Sequence, residues 1–177
     1  MKNEFGFTLE LDTKAVNEAG EFVGYGAVFN NSDLGRDVIL PGAFTKSIAG
    51  RPVGRVKMLR QHDPEEPIGI WLDLSEDQKG LRAKGKLILD TIKGRETYAL
   101  MRAGAMDGLS IGFRTVKDHF DRAKGLRYLE ELDVPEISIV TFPMNPHATV
   151  SAVKSEASEH ARALVMAINR ATEALRT

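Results

Sequence analysis

Cysteine is absent from the 177-residue chain, which excludes a disulfide framework, a thiolate metal site and a cysteine nucleophile. No apolar run approaches the roughly 20 residues that a membrane-spanning helix requires. The first residues also lack the basic segment and apolar core of a secretion signal. A net charge of −1 creates no overall basic field for nucleic acid or anionic lipid. We therefore expect a protein made in the cytoplasm, with neither nucleic acid nor membrane as a partner.

The composition is that of a globular protein, with 42% hydrophobic and 28% charged residues. The length suits one domain with an appendage. We expect the domain over residues 1–153 and a C-terminal amphipathic helix over residues 154–177. Alanine, leucine, methionine and isoleucine form an apolar stripe in that last segment, which would pack on the domain or on a partner.

Apolar and polar side chains alternate over most of the first 153 residues, which predicts strands. The predicted strands are 5–12, 20–29, 55–63, 68–77, 80–90, 108–120, 126–134 and 135–143, with helices over 42–50 and 91–106 and loops over 30–37 and 63–67. The strands do not alternate regularly with the helices. This pattern predicts an α+β fold, a mainly antiparallel β-barrel with interspersed helices.

The segment GLSIG, residues 108–112, fits the pattern G-x-S-x-G. In α/β-hydrolases this pattern places a nucleophilic serine on a sharp turn between a strand and a helix. Here a helix is predicted before Ser110 and a strand after it, so we expect no such turn. Ser110 is then either a small residue in a tight strand or a nucleophile carried on a strand, whose flanking glycines let substrate backbone approach closely.

A serine nucleophile needs a general base, because a free hydroxyl is hardly ionised at neutral pH. The candidates are His62, His119, His147 and His160. His62 ends a predicted strand where the chain turns, a position that suits a site residue as well as an ordinary surface turn. His147 competes, because Ser110, Asp133 and His147 follow the chain order of the α/β-hydrolases. The other two histidines lie in charged stretches and are expected to face solvent.

An acid that orients the base is the remaining requirement of a catalytic triad. Glu136 begins the apolar segment EISIVTFP, where a carboxylate is costly to bury unless it is paired. Asp133 and Asp63 are alternatives. Glu136 could equally be a strand-end carboxylate in a surface ion pair.

Five segments in order resemble the prohead (procapsid) maturation serine proteases of tailed bacteriophages. They are GYGAVFNNSDLGRDVILPGAF, QHDPEEPIGIW, GLRAKGKLILDT, GRETYALMRAGAMDGLSIGF and EISIVTFPMNPHATV, which cover most of residues 20–153. The resemblance implies the fold of the herpesvirus capsid-assembly protease (assemblin), a small and mostly antiparallel β-barrel decorated with helices. The C-terminal segment is not part of the resemblance.

The same resemblance implies that Ser110 is the nucleophile, His62 the general base and Glu136 the third member. Asp133 is the alternative to Glu136 as the third member. The herpesvirus relatives use a second histidine in this role; if this chain did so, His147 or His119 would take the place of the acid. Arginines support the oxyanion site in those relatives. Arg114 is therefore a candidate for that role, or else a solvated strand residue.

The resemblance further implies substrates and partners. These are the phage scaffold and major capsid protein as substrates, with the portal and a second copy of the chain as further partners. The enzyme would also cleave itself and act inside the prohead, in the host bacterial cytoplasm. We expect no cofactor and no metal, since the histidines show no ligand spacing. The rival hypotheses are a non-catalytic capsid-assembly or scaffold protein with the same barrel, an unrelated β-barrel binding module, and an esterase-type hydrolase.

Overall fold

The computed structural model describes residues 16–151, which form eight strands and two α-helices. The elements are β1 Glu21–Val28, β2 Asp37–Ile39, α1 Thr45–Gly50, β3 Lys57–Arg60, β4 Asp63–Glu76, β5 Gly80–Leu87, α2 Ile92–Arg102, β6 Gly108–Asp121, β7 Leu126–Val140 and β8 Val150–Ser151, with a 3₁₀ turn at Val53–Arg55. The predicted strand over 5–12 and the predicted C-terminal helix lie outside the described residues. Within them, both predicted helices and most of the predicted strands are present.

The strands form one sheet in the order β2-β7-β3-β4-β5-β1-β8, and β6 lies along the other side of β7. Five pairings among the described strands are antiparallel. The pairings of β7 with β2 and with β3 are parallel. The sheet is therefore mixed, with antiparallel pairs in the majority as expected, and it curls into a half-barrel where a barrel was expected. Apolar alternation shows which face of a strand is buried but not the direction of its neighbour.

β7 runs continuously through Pro135, where the sequence pattern predicted two separate strands. Gly112 of β6 lies opposite Glu136, whereas Arg114 lies opposite Asp133. Two residues of β7, Val134 and Pro135, thus face a single residue of β6, which is a β-bulge. A bulge accommodates a proline that has no N–H to donate, so the strand bends at this point without ending. Glu136 is the first residue beyond the bend.

The concave side of the sheet holds the hydrophobic core. Trp71 packs edge-on against Phe22, with ring centroids 5.7 Å apart, and its indole N–H donates to the carbonyl of Lys57 at 3.3 Å. Leu109 of β6 and its partner Ile139 of β7 are fully buried here. Because side chains alternate between the two faces of a strand, Ser110 and Ser138 point to the opposite face.

The outer side of β6 is paired only at its start within the described residues. Leu109 donates its N–H to Ala148 at 2.8 Å, and Val150 donates to Asp107 at 2.9 Å. Val150 also pairs with Gly24 of β1, so the segment around β8 links the start of β6 to β1. No helix within residues 16–151 is both long enough and apolar enough to cross a membrane.

Candidate active site

His62 is the second residue of the two-residue turn between β3 and β4. Arg60, at the end of β3, pairs with Asp63, at the start of β4. Gln61 and His62 both have positive φ, at 56° and 62°. Turns with two such residues favour glycine, which has no Cβ, and asparagine, whose short polar side chain tolerates this conformation. Each non-glycine residue here costs on the order of 1–2 kcal/mol. Strain of this kind persists only where surrounding contacts impose it, and it is common at functional sites.

The His62 ring is paired with a carboxylate from β7. Its Nδ1 lies 2.6 Å from Oε1 of Glu136. The His62 side chain is 40% exposed and that of Glu136 only 15%. An ionised carboxylate can only accept a hydrogen bond, so a neutral imidazole in this pair carries its proton on Nδ1. Nε2 is then left with a lone pair that can accept a proton from a nucleophile.

The second oxygen of Glu136 is held by Ser138, which sequence reasoning did not single out. The Ser138 hydroxyl donates to Oε2 of Glu136 at 2.7 Å and accepts a hydrogen bond from the His62 backbone N–H at 3.2 Å. Ser138 is fully buried. The only sequence signal for this contact is the spacing of two in EIS, which places both side chains on one face of β7.

Ser110 lies on β6 directly opposite Ser138. Directly opposed residues of an antiparallel pair have Cβ atoms roughly 4.5–5.5 Å apart and share a face. Ser138 is thus the common neighbour of Ser110 and of the His62 turn. The Ser110 residue is 6% exposed. β6 continues as a strand to Asp121, and the preceding helix α2 ends at Arg102. The expectation that GLSIG is not a strand–turn–helix elbow is confirmed.

The other candidate bases lie apart from this cluster. His119 pairs through Nδ1 with Glu130 at 2.6 Å on the outer part of the β6–β7 hairpin. Hydrogen bonds from Lys117 and then from His119 hold the pKa of Glu130 below its usual value. His147 is exposed, and its backbone N–H donates to the Asn145 side chain at 3.0 Å. His160 lies outside the described residues.

The alternative acids have other partners. Asp133 accepts from Arg51 at 2.5 Å and lies 3.6 Å from Nη1 of Arg114. Asp63 accepts the backbone N–H of Glu65 at 2.9 Å. The Arg114 side chain is 78% exposed, which favours a solvated strand arginine over an oxyanion role.

Among the described residues, Glu136 is thus the carboxylate paired with His62. Within the same residues, no three carboxylates or histidines cluster as a metal site would require.

The chain is similar in sequence to known proteins. Residues 8–163 match the model of the caudovirus prohead serine protease family. The chain belongs to this family. The prohead protease of Enterobacteria phage HK97 is 36% identical over 155 residues, covering 84% of this chain and 68% of that protein. The capsid polyprotein of Pseudomonas phage PAJU2 is 29% identical over 161 residues, covering 87% of this chain and 23% of the polyprotein.

The protease also shares its fold with a solved structure, that of the bacteriophage T4 capsid assembly protease. The TM-score is 0.54 at 16% sequence identity, covering 70% of this chain and 82% of the other. The expected family is confirmed by these matches. The chain is a prohead serine protease, a peptide hydrolase of phage capsid maturation.

A cleft of about 150 Å³ adjoins Ser110 in the protease. Its walls include Gly26, Leu109, Ile111 and Met144. Met144 is 50% exposed, and two carboxylates, those of Asp33 and Asp37, also line the cleft. The cleft beside Ser110 is thus largely apolar, with two acidic groups in its lining.

Gly112→Ala should inactivate the protease without unfolding it. A Cβ at residue 112 would lie 2.0 Å from Oε1 and 2.7 Å from Cδ of Glu136, so the carboxylate must move away from His62. Displacement of a catalytic group by about 1 Å costs on the order of 100-fold in rate. We expect at least this loss in the rate at which a fluorophosphonate labels the enzyme, with the fold retained by circular dichroism.

Gly54→Ala is the matched control, because nothing lies within 4 Å of a Cβ built at that residue. It should label at the wild-type rate. A folded Gly112→Ala enzyme that labels as fast as wild type would show that the position of Glu136 does not matter for the reaction.

Proposed function

We propose that this protease cleaves the phage scaffold, or the scaffold-like segment of the major capsid protein, through an acyl-enzyme formed on Ser110. His62 acts as the general base and Glu136 orients it. The observation that carries this assignment is the 2.6 Å contact between His62 Nδ1 and Glu136. His62 makes this contact from a strained turn, next to Ser138. Ser138 is in turn the β7 partner of the buried Ser110.

The first half of the reaction is acylation. His62 Nε2 takes the proton from the Ser110 hydroxyl as Oγ attacks the carbonyl carbon of the scissile peptide bond. The carbonyl oxygen becomes an oxyanion, which backbone N–H groups stabilise. The imidazolium then returns its proton to the leaving amine nitrogen as the C–N bond breaks. The product is an ester between Ser110 and the acyl part of the substrate.

Deacylation repeats these steps with water as the nucleophile. His62 takes a proton from the water, and the resulting acid leaves Ser110, which regains its proton. Glu136 stabilises the imidazolium in both halves, because a carboxylate that is largely removed from solvent interacts strongly with a neighbouring positive charge. No metal or cofactor takes part in this scheme.

The substrate is proposed to bind as an extended peptide along β6. Pairing on the outer side of β6 ends at Leu109 within the described residues, so a peptide could add to the strand edge next to Ser110. The apolar cleft beside Ser110 would take one of the substrate side chains.

The capsid polyprotein relative supports the capsid protein as the associated chain. The proposal extends to self-cleavage, contact with the portal, self-association, and action inside the prohead in the host cytoplasm.

The test is intact-mass analysis after incubation with a fluorophosphonate, for wild type, Ser110→Ala and His62→Ala. We expect a single adduct on Ser110 in the wild type and none in either variant. An adduct that maps elsewhere would contradict the assignment of Ser110. Absence of any adduct in folded wild type, repeated after co-expression with the capsid protein, would favour the non-catalytic assembly protein.

A further inference from the structure

We propose that Gln61, Thr141 and Ser138 are positioning residues that hold the His62 turn in register with Ser110. This inference rests on the proposed function, because it assigns to these residues a role in presenting the base. It starts from the turn itself. Positive φ is uncommon for any residue other than glycine, and two such residues follow each other here, so contacts from outside the turn must impose the conformation.

The first set of contacts joins Gln61 to the segment that follows β7. The Gln61 side-chain amide donates from Nε2 to Oγ1 of Thr141 at 2.7 Å. The Thr141 backbone N–H donates in return to Oε1 of Gln61 at 3.3 Å. The backbone N–H of Gln61 donates to the carbonyl of Ile139 at 3.0 Å. Three hydrogen bonds therefore tie this one turn residue to β7 and to the residue that follows it.

The second set of contacts acts on His62 from the same strand. Ser138 accepts the His62 backbone N–H and donates to Glu136, and Glu136 accepts from the His62 ring. Ser138 is fully buried, so water cannot replace it as a partner. Both the backbone and the ring of His62 are thus fixed to β7, at positions two residues apart.

β7 also fixes the candidate nucleophile, since Ser110 is paired directly with Ser138. Ser138 therefore positions both groups. It holds the His62 turn by a hydrogen bond, and it faces Ser110 as its partner in the β6–β7 pairing. Loss of the Gln61–Thr141 pair would let the turn relax and move the imidazole relative to Ser110. Small displacements of this kind lower rates strongly while leaving the fold intact.

The test compares Thr141→Val and Gln61→Met with Thr141→Ser in the 177-residue chain. Valine matches threonine in shape but cannot accept from Gln61, and methionine keeps the length of glutamine without its amide. We expect both to lower the rate of fluorophosphonate labelling at Ser110 by 10- to 100-fold, a range typical for lost orientation. Thr141→Ser keeps the hydroxyl and should stay within a few-fold of wild type.

A second readout follows His62 directly by nitrogen-15 NMR of its imidazole. Wild type should show one fixed tautomer with the proton on Nδ1. Thr141→Val and Gln61→Met should show averaged or broadened ring signals, a change that a merely structural role would not produce. The control is Tyr25→Phe, which removes a comparably exposed 2.6 Å hydrogen bond to Asp77 elsewhere. It should change neither readout.

The outcomes separate this inference from the proposed function. If wild type is labelled at Ser110, and both variants fold, label at the wild-type rate and keep the wild-type ring signals, the positioning role is overturned and the proposed function stands. If wild type is not labelled at Ser110, the proposed function is overturned and the positioning role falls with it. Slow labelling with altered ring signals, rescued by serine at residue 141, supports the inference.

Discussion

Ser110→Ala is expected to lower the rate of peptide-bond cleavage by about 10⁶-fold, the scale seen when the nucleophile of a serine protease is removed. Without Oγ no acyl-enzyme can form, and His62 can only assist water. The change should leave the fold intact, because alanine is smaller than serine and fits the same space. The measurement is cleavage of the co-expressed major capsid protein, followed by gel and mass spectrometry, together with thermal unfolding of the variant.

The control for this substitution is Ser75→Ala on β4, whose hydroxyl makes a long 3.4 Å contact with Asp73. It should cleave the capsid protein as wild type does. Cleavage by Ser110→Ala at the wild-type rate would remove Ser110 from the mechanism. The fully buried Ser138 would be the next hydroxyl to examine in that case.

Glu136→Gln is expected to lower the rate by about 10³–10⁴-fold, as loss of the orienting acid does in other serine proteases. Glutamine keeps the size of the side chain but removes the charge that stabilises the imidazolium. If its amide nitrogen faces the ring, it also donates to Nδ1. The imidazole proton then moves to Nε2, where it blocks acceptance of the Ser110 proton. The rate of fluorophosphonate labelling and the cleavage assay both measure this loss.

The chain offers a matched control in a second histidine–carboxylate pair with the same geometry. Glu130 Oε1 lies 2.6 Å from Nδ1 of His119, on the outer part of the β6–β7 hairpin. Glu130→Gln should leave both rates unchanged, because this pair is not next to Ser110. Equal losses in Glu130→Gln and Glu136→Gln would indicate a general effect on the hairpin and would argue against an orienting role for Glu136.

The sequence predicted the order of helices and strands along the chain better than it predicted how the strands pair in the sheet. The pattern around β4 and β5 predicted the hairpin, and the segment 91–106 contains α2. The three-residue β2 was missed, since its polar neighbours read as a loop. Pro135 was taken as a strand boundary, but it lies within β7, in a bulge where two residues of β7 face one residue of β6. Short strands and bulges depend on a partner strand, which the local sequence does not specify.

The candidate site was predicted in part as well. His62, Ser110 and Glu136 were singled out by residue type, by position and by family resemblance, and their catalytic roles stay predictions until activity is measured. Ser138, Gln61 and Thr141 were not singled out. Serine, glutamine and threonine are ordinary in strands and turns, and their importance here depends on partners far along the chain.

The sequence by itself determined the class of the chain and the residues able to carry its chemistry. The absence of cysteine excluded a cysteine nucleophile, and five ordered segments resembled the family, a resemblance that implies Ser110 as the nucleophile. The tertiary structure decided which acid His62 meets. Asp133, three residues before Glu136, is bound by Arg51 instead, because it lies further along β7 from the His62 turn, beyond the residues that pair with β3. Hydrogen bonds and steric contacts act over a few ångströms, so only strand register across 74 residues of chain could bring Glu136 to His62.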